Sequence, residues 1–248
     1  ETVEALTPAD AETARRRMLT EANIHWLYQG DGDTAALVKE LEGRFATLPY
    51  RRPATLQVDA SFAVKQDEKT EYMALKQAKL VLGLRVAVSE PAGDVDAAQL
   101  MCTLLGGCPT SLLFTNVREK KSLCYYCAAT YDRHQGVMLI DSGVQPESVE
   151  MAKEEILKQL EALRQGEFTD DELEAARRSL IQRHASANDN PEALESFYIG
   201  QTLYDTYATP DEKRSRVLAV TREDVCRAAR LTHFDTTYLL APNEEVDA

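Results

Sequence analysis

Arg118 and Tyr125 are the side chains whose type and spacing best fit a chemical task. A guanidinium stays charged and presents several N–H donors to carbonyl oxygens, while a phenol is a donor on a stiff arm. Aimed at an oxygen that gains negative charge, such donors lower a barrier without transferring a proton themselves. Both lie in the run Phe114-Thr-Asn-Val-Arg-Glu-Lys-Lys-Ser-Leu-Cys-Tyr125. Seven residues along one helix span about 10 Å, so a reversal between the two is needed to bring their tips to one site. Plainer roles compete. An arginine in a last helical turn also satisfies orphan carbonyls, and a tyrosine at a strand start also packs in a sheet.

The surrounding pattern supplies the reversal. Leu112, Leu113, Phe114 and Val117 form an apolar helical face, which starts after the break Gly106-Gly107-Cys108-Pro109. From Ser122 to Tyr131 the residues become β-branched, aromatic and small, and Asp132-Arg133-His134-Gln135-Gly136 closes the run. This reads as a strand that pairs as a hairpin with 137–144. Arg118 is therefore placed in the last helical turn and Tyr125 near the start of a strand.

Ser111-Leu-Leu-Phe114, Val117-Arg-Glu-Lys120 and Leu123-Cys-Tyr125 together resemble the hallmark of the C-terminal, non-metal half of the insulinase/pitrilysin zinc peptidases. That superfamily includes the mitochondrial processing peptidase and many bacterial relatives. Ser122 stands where a glycine is common, and Cys124 where alanine or glycine is common; both are small, so the turn is expected to survive. The resemblance implies that Arg118 and Tyr125 reach across an internal chamber and hydrogen-bond the substrate backbone near the scissile carbonyl. It also implies a peptide substrate, with zinc carried only by the N-terminal metal-bearing half or by a paralogous subunit. The alternative is a catalytically silent structural or regulatory partner of an active paralogue.

A zinc peptidase needs imidazoles and carboxylates converging on one ion, which this family supplies as H-x-x-E-H. His25, His134, His184 and His233 are the chain's four histidines, and no two lie within one helical turn. No zinc site, cofactor or catalytic residue is expected, so the chain by itself is expected not to be an enzyme. The glycines of 105–111 lack the lysine and spacing of a phosphate loop, and G-x-S-x-G is absent. Cys124-Tyr-Tyr-Cys127 invites a redox reading. On a regular strand, however, residues three apart point to opposite faces, so a packing role is expected.

A net charge of −13 argues against nucleic acid as a partner. No apolar run approaches the roughly 20 residues that span a bilayer. Five cysteines without framework spacing, and no signal-peptide pattern, lead to an expected cytoplasmic location.

The chain opens on Glu1 in mid-pattern, with a helix capped by Thr7-Pro-Ala-Asp10 and then an apolar run over 24–28 that reads as a strand. A helix capped at Thr221 and a strand over 236–240 repeat that module. Residues 1–54 are accordingly expected to be the end of a preceding homologous half (helix, strand, a helix over 34–48, and a link at 49–53). Residues 55–248 would be a complete domain. Within it, strands are predicted over 70–73 and 80–88, with a bulge near Gly83. Helices are predicted over 95–105, after a turn at 91–94, and from Pro146 to Gly166. A third, from Thr169-Asp-Asp-Glu172, breaks at Asn188-Asp-Asn-Pro191, and a fourth covers 193–204. Short strands followed by runs of helices indicate an α+β fold: a two-layer sandwich, an antiparallel sheet with helices packed on one face.

Overall fold

Alternating burial along each strand shows how the sheet is built. In the computed structural model, which describes residues 3–22, 24–49, 64–90, 94–203 and 206–243, the chain divides into two compact units, Glu1–Gln57 and Val58–Ala248. The expected boundary at 54–55, the link at 50–53, residues 91–93 of the expected turn and Tyr204 lie outside the described residues.

The second unit contains β1 (Asp67–Met73), β2 (Ala78–Val86), β3 (Cys124–Asp132), β4 (Val137–Val144) and β5 (Thr232–Pro242), ordered β1-β5-β2-β4-β3. Ala78, Leu80, Leu82, Leu84 and Val86 of β2 point to one buried face, together with Met138, Ile140 and Val144 of β4. The period of two places every second side chain in the core. The expectation of an antiparallel sheet needs one correction, because β1 pairs with β5 in parallel. Consecutive strands β1 and β2 run in opposite directions, and β5 slots between them antiparallel to β2. It must then run with β1. The register of β5 against β2 slips between Gly83 and Leu84, where the bulge was expected, and the extra residue is Asp235 on β5.

Helices α3 (Val95–Cys102), α4 (Val149–Gln165), α5 (Asp170–Ala185), α6 (Pro191–Thr202), α7 (Pro210–Ala219) and α8 (Arg222–Arg230) complete this unit. The predicted core stripes of α4 and α5 are buried, including Ile156, Leu160, Leu173, Leu180 and His184. Gly166 ends α4 at φ +76°, a left-handed conformation natural to glycine. Sequence reasoning missed α7. Its signal was nevertheless present, since Thr209 and Glu212 form the same reciprocal cap as Thr169 and Glu172.

In the first unit, helices α1 (Pro8–Glu21) and α2 (Thr34–Phe45) are capped by Thr7 and Asp33. The strand expected over 24–28 is irregular there. A strand needs a neighbour to take its backbone hydrogen bonds, and no described strand pairs with this segment. Gly43 lies inside the second of these helices, and a Cβ added there meets nothing within 4 Å. Gly43→Ala should therefore stabilise that helix by about 0.5–1 kcal/mol, seen as greater helicity by circular dichroism.

Candidate functional site

The predicted turn is formed by π-helical backbone. The chain leaves α3 through a π-helical segment, Thr103–Gly107, and after a short break enters a second one, Leu113–Lys120. Leu113 and Val117 are fully buried and fix this second segment against the core. Its end is closed by two backbone bonds: Ser122 N–H donates to the Arg118 carbonyl (3.0 Å) and Leu123 N–H to the Val117 carbonyl (3.1 Å). Each bond reaches one residue further back than in the usual left-handed helix terminus, as a π-helical last turn requires. Ser122 is the left-handed residue, at φ +53°. This is the physical reason a glycine is favoured at that place.

Because backbone donors take those carbonyls, the Arg118 guanidinium is not needed as a cap. It lies over the Phe114 ring (4.6 Å to the centroid), with Nε 3.7 Å from Glu119 Oε1. Its side chain is 40% exposed. Tyr125 is 49% exposed, and its hydroxyl accepts a hydrogen bond from Gln145 Nε2. In the pairing of β3 with β4, Cys124 faces Val144 and Tyr126 faces Gly143, which leaves Tyr125 as the extra residue of a β-bulge. Bulges re-aim a side chain and are over-represented beside functional sites.

Arg118 and Tyr125 border the same concavity of about 360 Å³, together with Glu119, Cys124 and Gln145. Arg118 also borders a larger concavity of about 760 Å³ that runs along β3 and includes Cys127, Arg183 and His184. Chemically, the smaller concavity offers one guanidinium and one phenol to a carbonyl-bearing chain. Among the described residues, no three His, Cys, Asp or Glu side chains gather closely enough to hold a metal ion. The described residues that line this concavity do not fit zinc.

The bulge corrects the geometry expected of Cys124-Tyr-Tyr-Cys127 but not the packing role, since both cysteines belong to the buried core. One extra residue shifts the alternation, so Cys124 and Cys127 are both buried on the inner face while Tyr125 and Tyr126 both point outward. Each thiol acts on the other, and this is the main cause that lowers Cys124 and raises Cys127 relative to an ordinary thiol. The Arg118 charge lowers Cys124 further, and burial raises Cys127 further. Sequence reasoning also missed Gln145, Phe114 and Glu119 as holders of the two side chains.

His184 is buried in α5, 6.2 Å from the Phe197 ring, and its Nε2 finds no hydrogen-bond partner among the described residues. Burial holds it below the ordinary imidazole value of 6.5; Lys213, Arg183 and Arg133 add to this, and Asp96 opposes it. Below pH 6.5 the unfolded chain therefore binds a proton that the folded one resists, and stability falls as the pH drops through that window. Thermal melts from pH 7.5 to 5 should show a shallower decline for His184→Phe than for the native chain. Equal slopes would remove His184 as the source.

The family described as "Peptidase M16 inactive domain" matches residues 5–180. Among curated proteins, the chain is 27% identical over 215 residues to "Probable inactive metalloprotease YmfF" of Bacillus subtilis (87% of this chain, 50% of that protein). It is 24% identical over 234 residues to an "Uncharacterized zinc protease" of Rickettsia bellii (89% of this chain, 54% of that protein). It thus spans about half the length of these curated relatives. A conserved protein from Enterococcus faecalis has the same fold, with a TM-score of 0.83 at 26% identity over 99% of this chain and 58% of that one. The peptidase M16 inactive domain from Pseudomonas fluorescens also shares it, with a TM-score of 0.71 at 16% identity over 96% and 58%. The chain belongs to the family of inactive domains of M16 peptidases.

Proposed function

We propose that this inactive domain closes a peptide chamber and lends Arg118 and Tyr125 to substrate held at a zinc site on a homologous half or a partner chain. The supporting observation is that both donors, each half-exposed, border one open concavity while neighbouring side chains hold them. In this reading residues 1–54 are the end of the preceding half. The guanidinium and phenol hydrogen-bond the peptide backbone and favour the carbonyl oxygen as it becomes negative; a zinc ion held on the other half would supply the activated water.

The test is made in the assembled system. Arg118→Ala and Tyr125→Phe should each lower kcat/KM by about tenfold to a hundredfold with unchanged assembly and melting temperature. Unchanged turnover in both variants would sink the substrate role. Chelator-sensitive peptide hydrolysis by this chain alone would sink the division of labour.

A second reading is favoured by the name of the Bacillus subtilis relative, an inactive metalloprotease. Under it the whole protein is a silent structural or regulatory partner of an active paralogue. The two readings separate on whether the rest of the protein carries H-x-x-E-H.

A further inference from the structure

We infer that the free edge of β3 takes up an extended acidic peptide segment as an added strand of the sheet. β3 stands last in the order β1-β5-β2-β4-β3, so among the described strands it pairs with β4 alone. Among the described residues, no backbone hydrogen bond of 126–131 leaves that ladder. The N–H and C=O groups that face away from β4 are therefore open to a partner. The concavity of about 760 Å³ lies along them, and six consecutive residues, 126–131, line it. A cavity over one face of a strand touches every second residue; one that touches all of them follows the edge.

Charge says what the segment carries. The chain has a net charge of −13, yet this lining holds Arg118 and Arg183 and no Asp or Glu. Arg183 is exposed and spends one N–H, from Nη2, on the Gly107 carbonyl (3.0 Å); among the described residues no carboxylate pairs with it. His184 and Gln99 add a buried Nε2 and Oε1 that have no hydrogen-bond partner among the described residues. Unspent hydrogen-bonding capacity thus collects along one wall. An incoming strand turns every second side chain to the inner face. A carboxylate at such a position finds a guanidinium with N–H groups to spare, in the planar fork that suits it.

Gly106 does not fill the edge. A Cβ there would meet the Cβ of buried Ala129 as well as its nitrogen, which places Gly106 under the inner face. A second copy of this chain is the poorer occupant, because edge-to-edge pairing sets the arginines of each copy against those of the other. The inference stands apart from the substrate role of Tyr125, which borders the smaller concavity.

The experiment titrates the chain, at physiological ionic strength, with a threonine-rich decapeptide that carries glutamate at two alternate central positions. A twin peptide carries glutamine instead. Amide hydrogen exchange is read by mass on peptic fragments from β3. At saturation the glutamate peptide should slow exchange there by about tenfold or more, since an added strand takes the outward N–H groups. The glutamine twin should bind about tenfold more weakly; so should Arg183→Gln with the glutamate peptide, and Arg183→Lys should lose less. Circular dichroism checks the fold of both variants. The inference is overturned if the glutamate peptide does not bind, if it binds without slowing exchange in β3, or if its twin binds equally well. It is also overturned if exchange slows with chain concentration alone, which would make a second copy the occupant. Arg183 takes no part in the cleavage test of Arg118 and Tyr125, so the two readings fail separately.

Discussion

Lys213→Met is expected to cost the second unit about 3–5 kcal/mol, measured by urea denaturation. Lys213 in α7 is 3% exposed, and its ammonium lies 3.2 Å from Oδ1 of Asp96, itself 8% exposed in the first turn of α3. Removing one partner strands a carboxylate in the interior, where it has no water to compensate. The pair as a whole is worth far less than this, because both ions were desolvated to make it. Asp96→Leu combined with Lys213→Met should therefore recover most of the loss. A single variant that costs under about 1 kcal/mol would show that water reaches the carboxylate after all.

Gly106→Val should destabilise by about 3 kcal/mol or more, because the site offers no room to a side chain. A Cβ there would stand 2.7 Å from the Ala129 backbone nitrogen and 2.8 Å from both Ala129 Cβ and Leu113 Cδ1. Leu113 could turn aside, but the β3 backbone cannot move without disturbing its pairing to β4. The neighbouring position is an internal control. A Cβ on Gly107 meets its nearest atom, the Cys102 carbonyl oxygen, at 3.3 Å, so Gly107→Ala should cost no more than about 1 kcal/mol. Similar melting curves for the two variants would mean that the first π-helical segment can lift off β3.

Much of this architecture was legible in the sequence, for identifiable reasons. Helices announced themselves where a cap and a stripe coincided: Thr169 with Glu172, then Leu173, Ala176 and Leu180 at helical spacing. Strands showed where alternation was strict, as in Leu80, Leu82 and Leu84. Arg118 at a helix end and Tyr125 at a strand start followed from the change of period between them.

What stayed hidden depends on partners far away in the chain. The parallel pairing of β1 follows from where β5 inserts, some 160 residues later, and no local pattern encodes it. The π-helical winding of Leu113–Lys120 shares its apolar face with an α-helix, so periodicity over so short a stretch cannot tell them apart. The bulge at Tyr125 was the costliest omission. A single unpaired residue put Cys124 and Cys127 on the same buried face, where strict alternation would set them on opposite ones.

The position of β5 has a consequence for biosynthesis. β5 is an interior strand, and among the described residues β1 touches the sheet only through it. While the ribosome still holds residues 232–242, β1 has no neighbour among the described strands and one side of β2 is an open edge, so the sheet waits for β5. Such an edge is what chaperones cover and what seeds aggregation. Nascent chains stalled just short of Thr232 should remain protease-sensitive from Asp67 to Met73, and extension past Pro242 should protect that segment in one step.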